Sequence, residues 1–107
     1  AYKCVGVLKG PGSVLFDKHS TAICARGNPG MATAGMGDVL SGIAGALIAE
    51  VAVEVAPDAD ALSYAFQSAV LWHSAAADLA ALSLGQRSLM ATDVISFLSK
   101  AAMNDSL

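Results

Sequence analysis

Apolar residues follow two regimes along this chain. Up to about residue 25 they come in short runs broken by Gly, Pro or polar clusters, and from residue 38 onward they recur at helical spacing. The first regime predicts strands over residues 2–8, 14–16 and 21–25, with Val5 and Val7 flanking Gly6 in the first. A Gly/Pro-rich loop at residues 9–13 separates the first two. The polar tetrad Asp17-Lys18-His19-Ser20 reads as a hairpin turn between the second and third. A longer loop covers residues 26–37. In the second regime, Val39, Ile43 and Leu47, with Leu40, Ala44 and Ile48, predict a helix over residues 38–50. Gly42 and Gly45 weaken that helix and are expected where another backbone packs closely. Pro57-Asp58-Ala59-Asp60 opens a second helix, whose stripe is Leu62, Phe66, Ala69, Val70, His73, Ala77 and Ala80. Gly85 is expected to end it as a C-terminal cap. Thr92 is expected to cap a third helix through Ala102, with Val94, Ile95 and Leu98 facing inward. Residues 104–107 read as a frayed tail, and there is no internal repeat.

Composition narrows the possibilities. At 107 residues the chain is at most one small domain. Its apolar share of 55% and mean hydropathy of +0.58 are high, and alanine and glycine carry much of both, so small side chains are expected to pack tightly. A net charge of −3 leaves no electrostatic footprint for nucleic acid, and no run of Lys or Arg suits an anionic membrane. The longest apolar segment, residues 39–49, is too short to span a bilayer as a helix. No signal-peptide pattern opens the chain, and a cytoplasmic setting is expected. Cys4 and Cys24 lack metal-site spacing; they read as a pair of buried thiols or as a disulfide between neighbouring strands. His19 and His73 have no partners spaced as zinc ligands, so no structural metal is expected.

The densest chemistry lies in Gly27-Asn28-Pro29-Gly30-Met31-Ala32-Thr33-Ala34-Gly35-Met36-Gly37-Asp38. A glycine-rich loop feeding a helix N-terminus presents backbone N–H groups and the positive end of a dipole to an anion. The amides of Ala34, Gly35, Met36 and Gly37 are the expected anion hole. On residues alone Asp38 has two readings: an N-cap, or a base that takes a proton from a substrate hydroxyl. Lys9 reads either as a phosphate contact or as an ordinary lysine at a strand end; the loop lacks Walker A spacing. His73 reads as a core histidine. Asp78, one turn on, reads as orienting His73 or as solvated. Trp72, Met31 and Met36 read as packing. Asn28 is expected to pin the loop through its side chain, and Thr33 to do the same or to meet a phosphate. Arg26 reads as an exposed loop arginine.

Four segments, in order, resemble the ADP/ATP-dependent NAD(P)H-hydrate dehydratases of the ribokinase-like superfamily. They are Leu8-Lys9-Gly10-Pro11-Gly12-Ser13, the block from Asn28 to Gly42, His73-Ser74-Ala75-Ala76-Ala77-Asp78, and Met90-Ala91-Thr92-Asp93-Val94-Ile95. The resemblance covers nearly the whole chain, and the central block is its specific part. It implies an α/β fold, with residues 1–107 forming the C-terminal part of a three-layer domain of few strands and about three helices. It implies nucleotide contacts at Lys9, Gly10, Pro11, Gly12, Ser13 and Gly37, and hydrated nicotinamide facing Asp38. ADP or ATP would phosphorylate the added hydroxyl of hydrated NADH or NADPH, with Mg2+ bridging the phosphates, and elimination would restore the nicotinamide. The chain departs from the family pattern at Pro11, which removes one N–H, and at Ser13, Ala34 and Ser74. Ala34 replaces a glycine where a left-handed backbone would be strained. The implied partners are the hydrated cofactor, the nucleotide, and either further copies of the chain or an absent N-terminal portion that would complete a parallel sheet. Two alternatives share Gly35-Met36-Gly37-Asp38: a small-molecule kinase, and an inactive nucleotide-binding fragment.

Overall fold

The computed structural model describes residues 6–8, 14–16, 21–24, 26–54 and 59–103. Three short strands open it: β1 (Gly6–Leu8), β2 (Val14–Phe16) and β3 (Thr21–Ile23). They form an antiparallel meander in the order β1-β2-β3, with Val7 opposite Leu15 and Leu15 opposite Ala22. A 3₁₀ turn at Pro29–Met31 follows, then the helices α1 (Met36–Glu54), α2 (Ala59–Leu84) and α3 (Ala91–Met103). The described residues are therefore mostly helical.

Helix α2 is the axis of the structure. At about 1.5 Å per residue its 26 residues reach about 39 Å, close to the longest dimension of 40 Å. Helices α1 and α3 both pack on it, and β2 and the 3₁₀ turn touch it as well. An amphipathic helix buries one stripe; a helix enclosed on several sides buries consecutive residues. His73, Ser74, Ala75, Ala76 and Ala77 are all buried, so this segment is enclosed all round. The predicted stripe holds at Ala69, Val70, His73, Ala77 and Ala80, which are buried, and at Leu62 and Phe66, which are half-buried.

Alanine makes this enclosure possible. Ala69 meets Ile43 and Ala44 of α1, and Ala76, Ala77 and Ala80 share a core cluster with Met36, Leu89, Val94 and Ala101. Small side chains on α2 let neighbouring elements approach its backbone, at close packing. Trp72 adds a polar tie between helices: its indole N–H donates to the Leu98 carbonyl at 2.7 Å. A buried indole needs such a partner.

The helix ends explain several differences from the sequence pattern. Helix α1 begins at Met36 and runs to Glu54, longer at both ends than expected; at its start Gly35 takes a left-handed φ of +88° and its carbonyl accepts the Val39 N–H. Gly85 ends α2 at φ +84° as expected, its N–H bonded to the Ala81 carbonyl. In α3 the cap is Met90, not Thr92. The Asp93 carboxylate accepts the Met90 N–H at 2.8 Å, and the Met90 carbonyl accepts from Asp93 and Val94. A carboxylate three residues into a helix that reaches back to the cap is half of a capping box. Val94 is fully buried while Ile95 is turned outward, 53% exposed, against the expectation that both face inward. Gly42 and Gly45 also differ from expectation, since nothing among the described residues lies within 4 Å of a side chain added at either. Cys24 carries a free thiol; Cys4 lies outside the described residues. No described helix is long and apolar enough to cross a membrane.

Truncating Val94 to Ala is expected to lower unfolding stability by about 2 kcal/mol through lost burial and a residual cavity. Ile95→Ala is expected to change it by about 0.5 kcal/mol or less. Denaturant titration of both variants checks the register of α3.

Candidate functional site

The loop from Gly27 to Gly35 is short of side-chain bulk, so its shape depends on hydrogen bonds. Gly27 adopts φ +117°, a conformation open to glycine at little cost. Its N–H donates to Asp78 Oδ2 at 3.0 Å. Asn28 Nδ2 donates to Asp78 Oδ1 at 2.9 Å, and Asn28 Oδ1 accepts the Gly30 N–H at 3.0 Å. Asn28 is thereby the cap of the 3₁₀ turn, with Pro29 at the first helical position, where its missing N–H costs nothing. The pinning role expected of Asn28 is present. Asp78 differs from both of its readings: its two oxygens hold the loop, 51 and 50 residues away in sequence. Hydrogen bonds to a charged carboxylate are worth on the order of 1.5–3 kcal/mol each.

The other side of the loop is held by steric contact. A Cβ on Gly30 would lie 2.5 Å from the Gln86 carbonyl oxygen and 3.0 Å from its Cα, so only glycine fits against the turn that joins α2 to α3. A Cβ on Gly35 would lie 3.1 Å from that of Ala91, at the start of α3. The loop is thus wedged between α2 and the α2–α3 junction. Within it, Met31 N–H donates to Asn28, Ala32 to Pro29 and Thr33 to Met31 through backbone bonds of 3.1, 3.2 and 2.9 Å. Thr33 and Arg26 are exposed. The Cys24 thiol lies 3.6 Å from Ser74 Oγ and from the Arg26 carbonyl, which ties the strand end to α2 where Ser74 departs from glycine.

This scaffold delivers the N-terminus of α1. The N–H groups of the cap and first three residues of a helix have no intrahelical acceptor. With the helix starting at Met36 these belong to Gly35, Met36, Gly37 and Asp38. The expected anion hole of Ala34, Gly35, Met36 and Gly37 shares three members with this set; Ala34 lies in the preceding turn, and Asp38 is the fourth residue of the helix start. The left-handed position falls on Gly35, where it is tolerated. Met36 is buried in the core and roots the helix start. Gly37 is half-buried.

Asp38 lies in the first turn of α1 rather than at its cap, and it is exposed. A carboxylate there sits at the positive end of the helix dipole. It stands one residue beyond Gly37 on the same rim as the free amides. The amides of the helix start and an exposed carboxylate therefore share the first turn of α1. Lys9, Gly10, Pro11, Gly12 and Ser13, the expected nucleotide loop, lie outside the described residues. Among the described residues no group of three or more His, Cys, Asp or Glu could hold a metal ion.

Gly30→Ala is expected to push the loop off Gln86 and lower unfolding stability by about 1–3 kcal/mol, the range for overpacking. Parental stability in thermal or denaturant unfolding would show that the two backbones are not in contact.

Comparison with known proteins identifies the family. A family model described as NAD(P)H-hydrate dehydratase matches residues 1–100. The chain is similar to the bifunctional NAD(P)H-hydrate repair enzyme Nnr of Coxiella burnetii, at 46% identity over 98 residues, covering 91% of this chain and 18% of the relative. It is 47% identical over 97 residues to the enzyme of the same name from Vibrio cholerae, with the same two coverages. Against that of Escherichia coli it is 41% identical over 100 residues, or 92% of this chain and 18% of the relative. The chain thus spans about a fifth of the length of the curated relatives it matches. The matched family implies a ribokinase-like fold, of which the described residues are a mostly helical part. The match over residues 1–100 and identities above 40% show that this chain belongs to the NAD(P)H-hydrate dehydratase family.

Proposed function

We propose that the protein carrying this sequence is a cytoplasmic lyase that repairs hydrated NADH and NADPH, with ADP or ATP as phosphoryl donor. Residues 1–107 would form the C-terminal part of its three-layer dehydratase domain. The observation that carries this reading is the open N-terminus of α1, where the amides of Gly35, Met36, Gly37 and Asp38 adjoin the exposed Asp38 carboxylate. The relatives are named for action on NAD(P)H-hydrate, and the family match extends that chemistry to this chain as a proposal.

The chemistry follows from the two parts of the site. The hydroxyl added to the nicotinamide ring attacks the terminal phosphorus of the nucleotide. Asp38 takes the hydroxyl proton as the new O–P bond forms and the bond to the leaving nucleotide breaks. Charge on the transferring group is met by the free amides and the dipole of α1. Loss of the phosphate together with a ring proton then restores the reduced nicotinamide. Phosphoryl transfer depends mainly on positioning and electrostatics, which a rigid loop and a helix terminus provide. Lys9, Gly10, Pro11, Gly12 and Ser13 would line the nucleotide alongside Gly37. The described side chains offer no cage for Mg2+, so the ion would arrive with the nucleotide phosphates and no step is assigned to it. The exposed Leu82, Met90, Ile95 and Met103 favour association with further protein surface, either another copy or the rest of a larger domain.

Asp38→Asn is expected to lower kcat by roughly a hundred-fold or more, the scale of a lost general base. It should leave nucleotide affinity within about three-fold, since the amides remain. Turnover of hydrated NADH with ADP or ATP, read as regenerated reduced nicotinamide, tests both the reading and the variant. A stable phosphorylated product would instead mark a small-molecule kinase, and near-parental turnover in the variant would remove Asp38 from the role of base.

A further inference from the structure

We propose that Asp78, on α2 and outside the anion loop, is a positioning residue that aims the N-terminus of α1 at the reacting phosphoryl group. The inference rests on the proposed dehydratase reading and extends it to a side chain outside the nucleotide and hydrate contacts proposed above. Asp78 Oδ2 accepts the Gly27 N–H at 3.0 Å and Oδ1 accepts Asn28 Nδ2 at 2.9 Å. The same Asn28 side chain holds the Gly30 N–H. From there backbone bonds run on to Thr33, and the Gly35 carbonyl starts α1. Gly30 is also wedged against the Gln86 backbone, so a shift at Asn28 cannot be absorbed there and must pass along the loop. Asp78 itself lies on the enclosed part of α2, directly after the buried run that ends at Ala77, which fixes its own place. A rigid helix thus sets where the loop begins, and the loop sets where four free amides and Asp38 point.

The polarity of the pair makes the inference testable. Asp78 offers only acceptors, to one backbone donor and one amide donor. Asp78→Asn keeps the shape but sets a donor against a donor, at Gly27 or at Asn28. Asn28→Asp sets two carboxylates against each other. The double exchange, D78N with N28D, restores every pairing: the new amide at 78 accepts from Gly27 and donates to the new carboxylate at 28, which still accepts from Gly30.

The three variants and the parent are assayed in the intact protein, with kcat taken per folded molecule and thermal unfolding recorded beside it. Each single exchange is expected to lower kcat roughly ten-fold or more while the KM for hydrated NADH stays within about two-fold. The double exchange is expected to return kcat to within about three-fold of the parent, a coupling visible only between interacting residues. A purely structural role would lower the unfolding temperature and the folded fraction while kcat per folded molecule stayed parental, and that result overturns the proposal. So does loss of a cooperative unfolding transition in D78N, or a double exchange no better than the singles. A parent with no nucleotide-dependent turnover sinks the dehydratase reading and this proposal together. An active parent beside an unimpaired D78N sinks this proposal alone.

Discussion

Asp78 accepts hydrogen bonds from Gly27 and from the Asn28 side chain, joining segments 51 and 50 residues apart. Within the glycine-rich loop the Asn28 side chain caps the 3₁₀ turn and Met31 packs on the core, while three of its nine residues are glycine. Glycine backbones are the costliest to order, so without a fixed anchor the loop would spread over many conformations. The carboxylate supplies that anchor from the most enclosed helix of the structure. Everything proposed for the site follows from it in order: the 3₁₀ turn capped by Asn28, the left-handed Gly35, the start of α1 at Met36, and the open amides beside Asp38.

The anchor works because α2 is held between α1 and α3. Its buried face is mostly alanine, and alanine combines high helix propensity with little side-chain entropy to lose. Small side chains also bring α1 and α3 close enough for Trp72 to reach the Leu98 carbonyl. Glycine serves the opposite end at Gly30, where the turn after α2 leaves no room for a Cβ. The high apolar share of the sequence is thus less a sign of bulk than of close approach between backbones.

Local pattern made the three helices legible, along with the stripe through Ala69, His73 and Ala80 and the cap at Gly85. What it missed was set by contacts distant in sequence or by a small shift of register. Thr92 is a good cap by type, yet Asp93 reaches back to Met90. The start of α1 lies upstream of Asp38, after a Gly35 with a positive φ, which adds the Asp38 amide to those at the helix start. Asp78 was visible as a charge one turn beyond His73, but its role lies in pairing with Asn28 across 50 residues, and no periodicity encodes such a pairing. The Asn28-to-Gly42 block suggested the chemistry now proposed for the site, and the family match places the chain among the NAD(P)H-hydrate dehydratases.

The central claim is that the N-terminus of α1 receives the nucleotide phosphates. Titrating ADP into the protein while following its backbone amide NMR signals tests this most directly. The account predicts that the largest shifts fall on Gly35, Met36, Gly37 and Asp38, with smaller ones across α2. Saturable ADP binding that leaves those four amides unmoved would contradict it and put the anion site elsewhere.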